Sequence, residues 1–152
     1  MDMYRVDPVS LAESYGIEVS ATPLLDVDGK IEKVSDDKYK ITYNSSTHKN
    51  RQRFTVAHEL GHFLLKHLDD SNKMLRDPRK NFSSENYDLK EVEANKMAAS
   101  ILMPQETLEH LIYDLGHTDL DELATILGVS TVALHYRLKN LGMVWAIYPV
   151  LN

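Results

Sequence analysis

The residues whose types and spacing most clearly indicate a chemical function form the HELGH segment, residues 58–62. Side chains four residues apart project from the same face of a helix, so His58 and His62 can hold one metal ion between their imidazole rings. Glu59 then lies beside that ion, where its carboxylate can take a proton from a metal-bound water. Because two imidazoles and a water suit Zn²⁺, the spacing predicts zinc-dependent hydrolysis, usually of a peptide bond.

A third protein ligand is expected on the next strong helix, since a catalytic zinc usually has three. Residues 89–103 are rich in helix formers and are followed by Pro104, which stops a helix. Two carboxylates there compete for the metal, and Glu91 is favoured over Glu93 because it shares its face with alanines that allow close helix packing. Asn95, one turn after Glu91, is then expected to hydrogen-bond a ligand histidine and fix its ring orientation.

The helix that carries the HELGH segment is predicted over residues 51–68, where apolar residues recur at three- and four-residue steps. Asn50 is its expected N-cap. Gly61 is unfavourable within a helix by about 1 kcal/mol relative to alanine, so it is expected to permit close approach of a neighbouring strand or helix. His67 is interpreted as a surface or packing histidine, because its spacing from His62 directs it to another face.

The residues before this helix predict a small sheet. A first helix is expected over residues 9–15 and a strand over residues 17–22. Asp28-Gly29 is typical of a hairpin turn. Residues 30–34 and 39–43 alternate apolar with charged side chains, which predicts antiparallel strands with one wet face. An edge strand beside the metal could hold an extended peptide by main-chain hydrogen bonds.

The C-terminal part predicts two short helices around Gly128, with Asp119 and Ser130 as their N-caps. We therefore divide the chain into a zinc metallopeptidase domain, residues 1–115, and a helix-turn-helix-like segment with a terminal strand, residues 116–152. Acidic residues outnumber the fixed positive charges of that segment, so direct nucleic-acid binding is disfavoured. Packing on the peptidase core or docking of a protein substrate is the preferred interpretation.

Two stretches admit alternatives. Residues 69–88 are polar and without period, which indicates either a solvated connector or a substrate-selecting loop. Residues 144–149 are expected to form a terminal strand or to cover the core, and an exposed patch for a partner is the alternative.

Several of these segments together resemble the ImmA/IrrE family of zinc peptidases. The resemblance rests on residues 51–62, on the sequence EVEAN at residues 91–95, and on residues 98–104. Residues 123–142 are similar to the helix-turn-helix-like segment that follows the peptidase core in that family. The resemblance spans nearly the whole chain. Met97 departs from the family, which more often has an aromatic residue there, and this difference concerns packing alone.

The resemblance implies roles for individual residues. His58 and His62 correspond to zinc ligands, Glu91 to the third ligand and Glu59 to the catalytic base. It also implies an intracellular protease, often encoded by a mobile element, that cleaves a partner transcriptional repressor. Together with the predicted elements it favours an α+β fold, in which a small antiparallel sheet packs on a zincin-like helical core.

Two other classes of function compete with the peptidase. One is a non-catalytic zinc-binding regulator or antitoxin that binds a partner protein; the other is a DNA-binding protein with a structural metal. The intact HELGH segment disfavours both, because a structural site needs no base such as Glu59 and leaves no open position on the metal. The residue that stabilises the oxyanion has no spacing argument, and the candidates are Tyr87, His110, Tyr113 and His117.

Composition is consistent with an enzyme of the cytoplasm. The chain has 152 residues, enough for one domain with a real core, and it contains no cysteine, so thiolate metal sites and disulfides are excluded. The first residues lack the apolar core of a signal peptide, and no apolar run reaches the length of a membrane span. The formal net charge of −6 is opposite to that of a dedicated nucleic-acid binder.

Overall fold

The computed structural model describes residues 3–23, 26–78 and 88–147. This part of the chain contains six α-helices and one four-stranded sheet, so the predicted α+β class is confirmed. The elements in chain order are α1 (Pro8–Ser14), β1 (Glu18–Thr22), β2 (Val27–Ser35), β3 (Lys38–Asn44), α2 (Lys49–Leu64), β4 (Met74–Pro78), α3 (Leu89–Leu102), α4 (Gln105–Glu109), α5 (Leu120–Leu127) and α6 (Thr131–Asn140). They form two compact units, residues 7–98 and residues 1–6 with 99–152.

The sheet has the strand order β1-β3-β2-β4. Strand β2 is antiparallel to both β3 and β4, as predicted for the first of these pairs. Strand β1 instead runs parallel to β3, with Glu18 opposite Lys40, so the sheet is mixed and not purely antiparallel. The alternation of apolar and polar residues indicates which side chains of a strand are buried. It does not indicate whether the strand runs parallel or antiparallel to its neighbour, because that depends on how the connection crosses the sheet.

Asp28-Gly29 lies inside β2, and its interpretation as a hairpin turn was wrong. The Asp28 carboxylate is buried and accepts hydrogen bonds from Nε and Nη2 of Arg51 on α2, at 3.0 and 2.7 Å. A buried carboxylate must be paired, and Arg51 can reach Asp28 when residues 28 and 29 are part of the strand. The charged pair therefore favours the extended conformation of these two residues over a turn.

Strand β4 lies within the stretch that the sequence left without an element. It is a short edge strand that pairs with β2 and ends at Pro78. Short, charged edge strands ending in proline are common because they discourage pairing with other molecules, and they lack the alternation that reveals an interior strand. The residues from 79 to 87 lie outside the described part of the chain.

Helix α2 begins earlier and ends earlier than predicted. Its N-cap is His48, whose Nδ1 accepts a hydrogen bond from the backbone N–H of Asn50 at 3.1 Å, so Asn50 is not the cap. The helix stops at Leu64, and Lys66 has a positive φ of 60°. Leu68 continues the helical spacing in sequence but lies beyond the helix, where it is buried.

The core of residues 7–98 lies between the sheet and helices α1, α2 and α3. Helix α2 contacts β2, β3 and α1. The buried apolar side chains of this unit are Ala12, Ile17, Val27, Ile31, Ile41, Val56, Ala57, Leu60, Leu68, Ala94 and Ala98. Their burial on both helices and strands holds α2 against the sheet.

The C-terminal unit confirms the predicted caps. Asp119 accepts from the backbone N–H of Glu122 at 3.0 Å, and Ser130 from that of Ala133 at 3.1 Å. Gly128, between α5 and α6, has a φ of 68° and ends α5 in the left-handed conformation that favours glycine.

Other features of this unit differ from the sequence prediction. Val144–Ile147 forms one turn of 3-10 helix, so the expected terminal strand is wrong there, whereas the buried Ile147 agrees with the other expectation, a cover of the core. Residues 148 and 149 lie outside the described part. Helix α4 continues into a π-helical turn, His110–Asp114. No helix in the described ranges is both long and apolar enough to cross a membrane.

Candidate metal centre

Helix α2 brings His58 and His62 together one turn apart. Both rings are buried, with 1% and 0% of the residue exposed, and their Nε2 atoms are 3.1 Å apart. The helical spacing therefore produces the convergence that the sequence predicted.

Helix α3 places Glu91 against both rings. Its Oε2 is 2.7 Å from Nε2 of His58, and its Oε1 is 3.2 Å from Nε2 of His62. Glu93, the competing carboxylate, is about half exposed and faces His67 instead, at 3.2 Å. Of the two glutamates, Glu91 is the one that the structure brings to the histidine pair.

Close contact between the two helices depends on Gly61, as expected. A Cβ at this position would lie 3.1 Å from the carbonyl oxygen of Ala94 and 3.2 Å from Cβ of Met97. These separations are tighter than ordinary van der Waals contact, so α3 can approach α2 this closely only opposite a glycine.

Asn95 contacts the first histidine, as expected. Its Oδ1 lies 2.8 Å from Nδ1 of His58. An amide oxygen only accepts, so Nδ1 of His58 donates this hydrogen bond, and in the neutral ring Nε2 then has the lone pair. That lone pair points toward Glu91 and His62, where a metal ion would be held.

His67 contacts the second histidine, and sequence reasoning missed this contact. Its Nδ1 lies 2.8 Å from Nδ1 of His62, and its Nε2 lies 3.2 Å from Oε1 of Glu93. His67 is 8% exposed, so it is neither a surface residue nor directed away from the site. The prediction failed because it extended α2 to residue 68; the left-handed Lys66 after Leu64 turns the chain back.

Glu59 is fully buried between the pair and the sheet. Its carboxylate lies with the ring nitrogens of His58 and His62 in one group whose ligand atoms are all within 4.8 Å of one another. Gly29 of β2 faces it: a Cβ there would lie 3.4 Å from Oε2 of Glu59 and only 2.5 Å from Cγ2 of Thr55. The absence of a side chain at Gly29 therefore leaves room for Thr55, whereas an added Cβ would only touch the glutamate.

The donor set fits a zinc ion. Two imidazole nitrogens and a carboxylate converge with separations of 2.7 to 3.2 Å, and a cation held between them would take the place of the protons that these contacts otherwise share. Tetrahedral zinc with bonds of about 2.0 Å separates its ligand atoms by about 3.3 Å. A catalytic zinc can have two imidazoles and one carboxylate as its protein ligands and an open fourth position, so no thiolate is needed.

Electrostatics favour the ligand forms of these groups. Burial raises the pKa of Glu91, but the hydrogen bonds with His58 and His62 outweigh it and hold that pKa well below its usual range. Burial lowers the pKa of His62. A carboxylate and a neutral imidazole are the forms that bind a metal, so metal binding would displace any proton that these groups share.

Comparison with known proteins agrees with this geometry. The family model described as the IrrE N-terminal-like domain, of peptidase family M78, matches residues 12–139. The chain belongs to this family. The match covers every residue of the metal centre, and in this M78 chain it extends through α5 and nearly all of α6.

Two curated relatives carry the name radiation response metalloprotease IrrE. The protein of Deinococcus radiodurans is 33% identical over 138 residues, and that of Deinococcus deserti is 34% identical over 137 residues. Each match covers 89% of this M78 chain but only 40% and 47% of the two relatives. The chain thus spans less than half the length of either relative.

The candidates for oxyanion stabilisation have other partners in this M78 chain. In the C-terminal unit, His110 pairs with Asp114 and His117 with Glu122, and Tyr113 stacks on Trp145 at a centroid distance of 6.1 Å. Tyr87 lies outside the described residues.

Proposed function

We propose that this chain is a zinc-dependent endopeptidase in which His58, His62 and Glu91 hold Zn²⁺ and Glu59 is the catalytic base. The observation that supports this most directly is the convergence of three ligand atoms beside a second, fully buried carboxylate, that of Glu59. A structural zinc site would use four protein ligands, whereas three ligands and a neighbouring base suit hydrolysis.

The chain's own residues then divide the chemistry. When bound, the metal ion would lower the pKa of its water to about 7 and polarise the scissile carbonyl. Glu59 takes the proton of that water on its carboxylate and afterwards delivers it to the nitrogen of the leaving amine. Asn95 holds the ring of His58 in place throughout. Burial of the site strengthens each of these electrostatic interactions.

We further propose that the substrate is a DNA-binding repressor, cut at one or very few sites in the cytoplasm as part of mobile-element or stress regulation. A net charge of −6 suits encounter with a basic partner and disfavours adhesion to DNA. The helix-turn-helix-like segment, residues 116–152, would dock that protein and not nucleic acid. In keeping with this, Nε of Arg137, one of the fixed positive charges of the segment, donates to the backbone carbonyl of Met103 at 2.9 Å, so this guanidinium already has a partner within the protein.

The test compares wild type with Glu59→Gln on a repressor encoded by a neighbouring gene. Glu59→Gln should bind zinc as wild type does but lose cleavage by about a hundredfold or more, since it keeps the shape and loses the base. Cleavage products are identified by mass spectrometry. Glu106→Gln, an exposed glutamate on α4, is the matched control and should cut normally.

The possible outcomes separate the competing functions. Undiminished turnover by Glu59→Gln would contradict the mechanism. Broad digestion of casein and unrelated proteins would contradict the specificity. Stable binding of the repressor by wild type without any cut would favour the non-catalytic regulator or antitoxin.

A further inference from the structure

His67 reaches the metal centre through the way α2 ends. The backbone N–H of His67 donates to the carbonyl of His62 at 2.9 Å, and that of Lys66 donates to Phe63 at 3.1 Å. With Lys66 in the left-handed conformation, these two bonds form a Schellman motif, which brings the second residue after the cap back beside the last turn of the helix. An apolar contact usually fills that place; here two imidazoles meet.

A zinc ion on Nε2 of His62 would leave the proton of that ring on Nδ1, and the neighbouring residues are placed to accept it. The Glu93 carboxylate only accepts, so Nε2 of His67 carries a proton and donates it. The neutral ring then has an acceptor at Nδ1, which receives the Nδ1 proton of His62. This tautomer has its lone pair on Nε2 of His62, the atom at which the expected metal would bind.

We propose that His67 and Glu93 are positioning residues that hold His62 in its metal-binding tautomer and strengthen its donor atom. This inference rests on the proposed zinc site. A carboxylate that withdraws a proton through an intervening ring raises the basicity of the ligand imidazole, as it does where carboxylates contact ligand histidines directly.

The two ligand histidines are supported in different ways. His58 donates to a neutral amide, Asn95, whereas His62 donates to an imidazole backed by a negative charge. Asn95 lies on α3, one turn after Glu91. His67 follows the end of α2 and contacts Glu93 on α3. The two carboxylates of α3 therefore act together, Glu91 toward the metal and Glu93 through His67.

Zinc affinity, measured by competition with a chromophoric chelator, tests the proposal without any substrate. His67→Phe keeps a ring but offers no acceptor, and its affinity should fall about 10- to 100-fold. His67→Asn places a carbonyl oxygen where Nδ1 was, as Asn95 does for His58, and should recover most of that loss. His110→Phe, which removes an exposed histidine paired with a carboxylate in the C-terminal unit, is the matched control.

Nitrogen-15 NMR of the zinc-loaded wild type gives a second readout. His58 and His62 should appear as Nδ1–H tautomers and His67 as the Nε2–H tautomer, and Glu93→Gln should shift the signals of His67 and His62. The proposal is overturned if His67→Phe binds zinc as tightly as wild type, or if His67 carries its proton on Nδ1. Zinc binding and these tautomers without peptide cleavage would instead refute the proposed activity and leave this inference standing.

Discussion

Glu91 and Glu93 lie two residues apart on α3 and meet different histidines. Glu91 is mostly buried, and its carboxylate contacts both rings of the HELGH segment. Glu93 is about half exposed and acts at one remove, through His67. A direct ligand and an indirect support should differ strongly in what their loss costs.

We expect Glu91→Ala to lose most of the bound zinc, and Glu93→Ala to retain it with weakened affinity. Removing one of three ligands leaves two imidazoles, whereas removing an outer support typically costs 10- to 100-fold in affinity. Metal content of the isolated proteins, measured by inductively coupled plasma mass spectrometry, compares the two variants. Loss of zinc in Glu93→Ala with retention in Glu91→Ala would reverse the assignment.

Sequence periodicity predicted most of this side-chain arrangement. The positions of His58, His62, Glu91 and Asn95 follow from helical spacing within two helices, which is a local property of the chain. Their metal-binding and supporting roles remain proposals. His67 could not be found in this way, because its place depends on where α2 ends and on the left-handed turn that follows.

At the scale of the elements, the distance between α2 and α3 sets the geometry of the centre. Gly61→Ala gains up to about 1 kcal/mol of helix propensity. The added methyl meets the backbone carbonyl of Ala94, and overpacking typically costs about 1–3 kcal/mol. We expect a net loss of about 1 kcal/mol in unfolding free energy and weaker zinc binding, because the neighbouring His62 moves away from Glu91.

Gly16→Ala is the matched control for that effect. Gly16 has a φ of 80° and no atom within 4 Å of an added Cβ, so its substitution strains the backbone without touching the helix pair. Urea denaturation should show a similar loss of stability, about 1 kcal/mol, while zinc affinity stays unchanged. Equal zinc affinity in both glycine variants would show that the helix spacing does not control the site.

Asp7 stabilises α1, which packs on α2. Its carboxylate accepts from the side chain of Ser10 and from the backbone N–H groups of Val9 and Ser10, and the hydrogen bond from the Ser10 side chain is the main cause that lowers the Asp7 pKa from 3.8. A lowered pKa in the folded state means that this contribution is complete above the unfolded value and is lost as the pH falls through the folded one.

We therefore expect Asp7→Ala to lower the unfolding free energy by about 1 kcal/mol at about pH 7, and by less near pH 3. Urea denaturation across this range measures the difference. Asp7→Asn caps the helix without a titrating charge, so its stability relative to Asp7→Ala should not depend on pH. A constant penalty for Asp7→Ala down to about pH 3 would be inconsistent with a contribution from the ionised carboxylate.

The sequence anticipated some elements and not others for identifiable reasons. The caps at Asp119 and Ser130 follow from local hydrogen-bonding chemistry, and the structure confirms both. The pairing direction of β1 and the existence of β4 depend on partners distant in the chain. Asp28-Gly29 was misread because its pairing with Arg51, 23 residues away, outweighs local turn propensity.

At the scale of the whole molecule, the negative charge bears on the proposed substrate. If a basic repressor is steered to a chain of net charge −6, the rate of cleavage at low substrate concentration should fall by about tenfold between about 50 and about 200 mM salt. The maximal rate at saturating substrate should change little, because the chemistry is buried. Initial rates over a salt series separate the two, and a salt-independent encounter would argue against charge complementarity.

The order of strands in the sheet has a consequence for how the chain acquires its structure. Strand β1 is made first, yet its neighbour among the described strands is β3, and the edge of β2 that does not pair with β3 pairs with β4, which is synthesised only after α2. Before β4 has been synthesised, the sheet of the nascent chain therefore lacks one of its four strands. The sheet on which α2 packs is therefore completed only after α2 itself has been synthesised, so the last strand pairing and the packing of the metal helix overlap in time during folding.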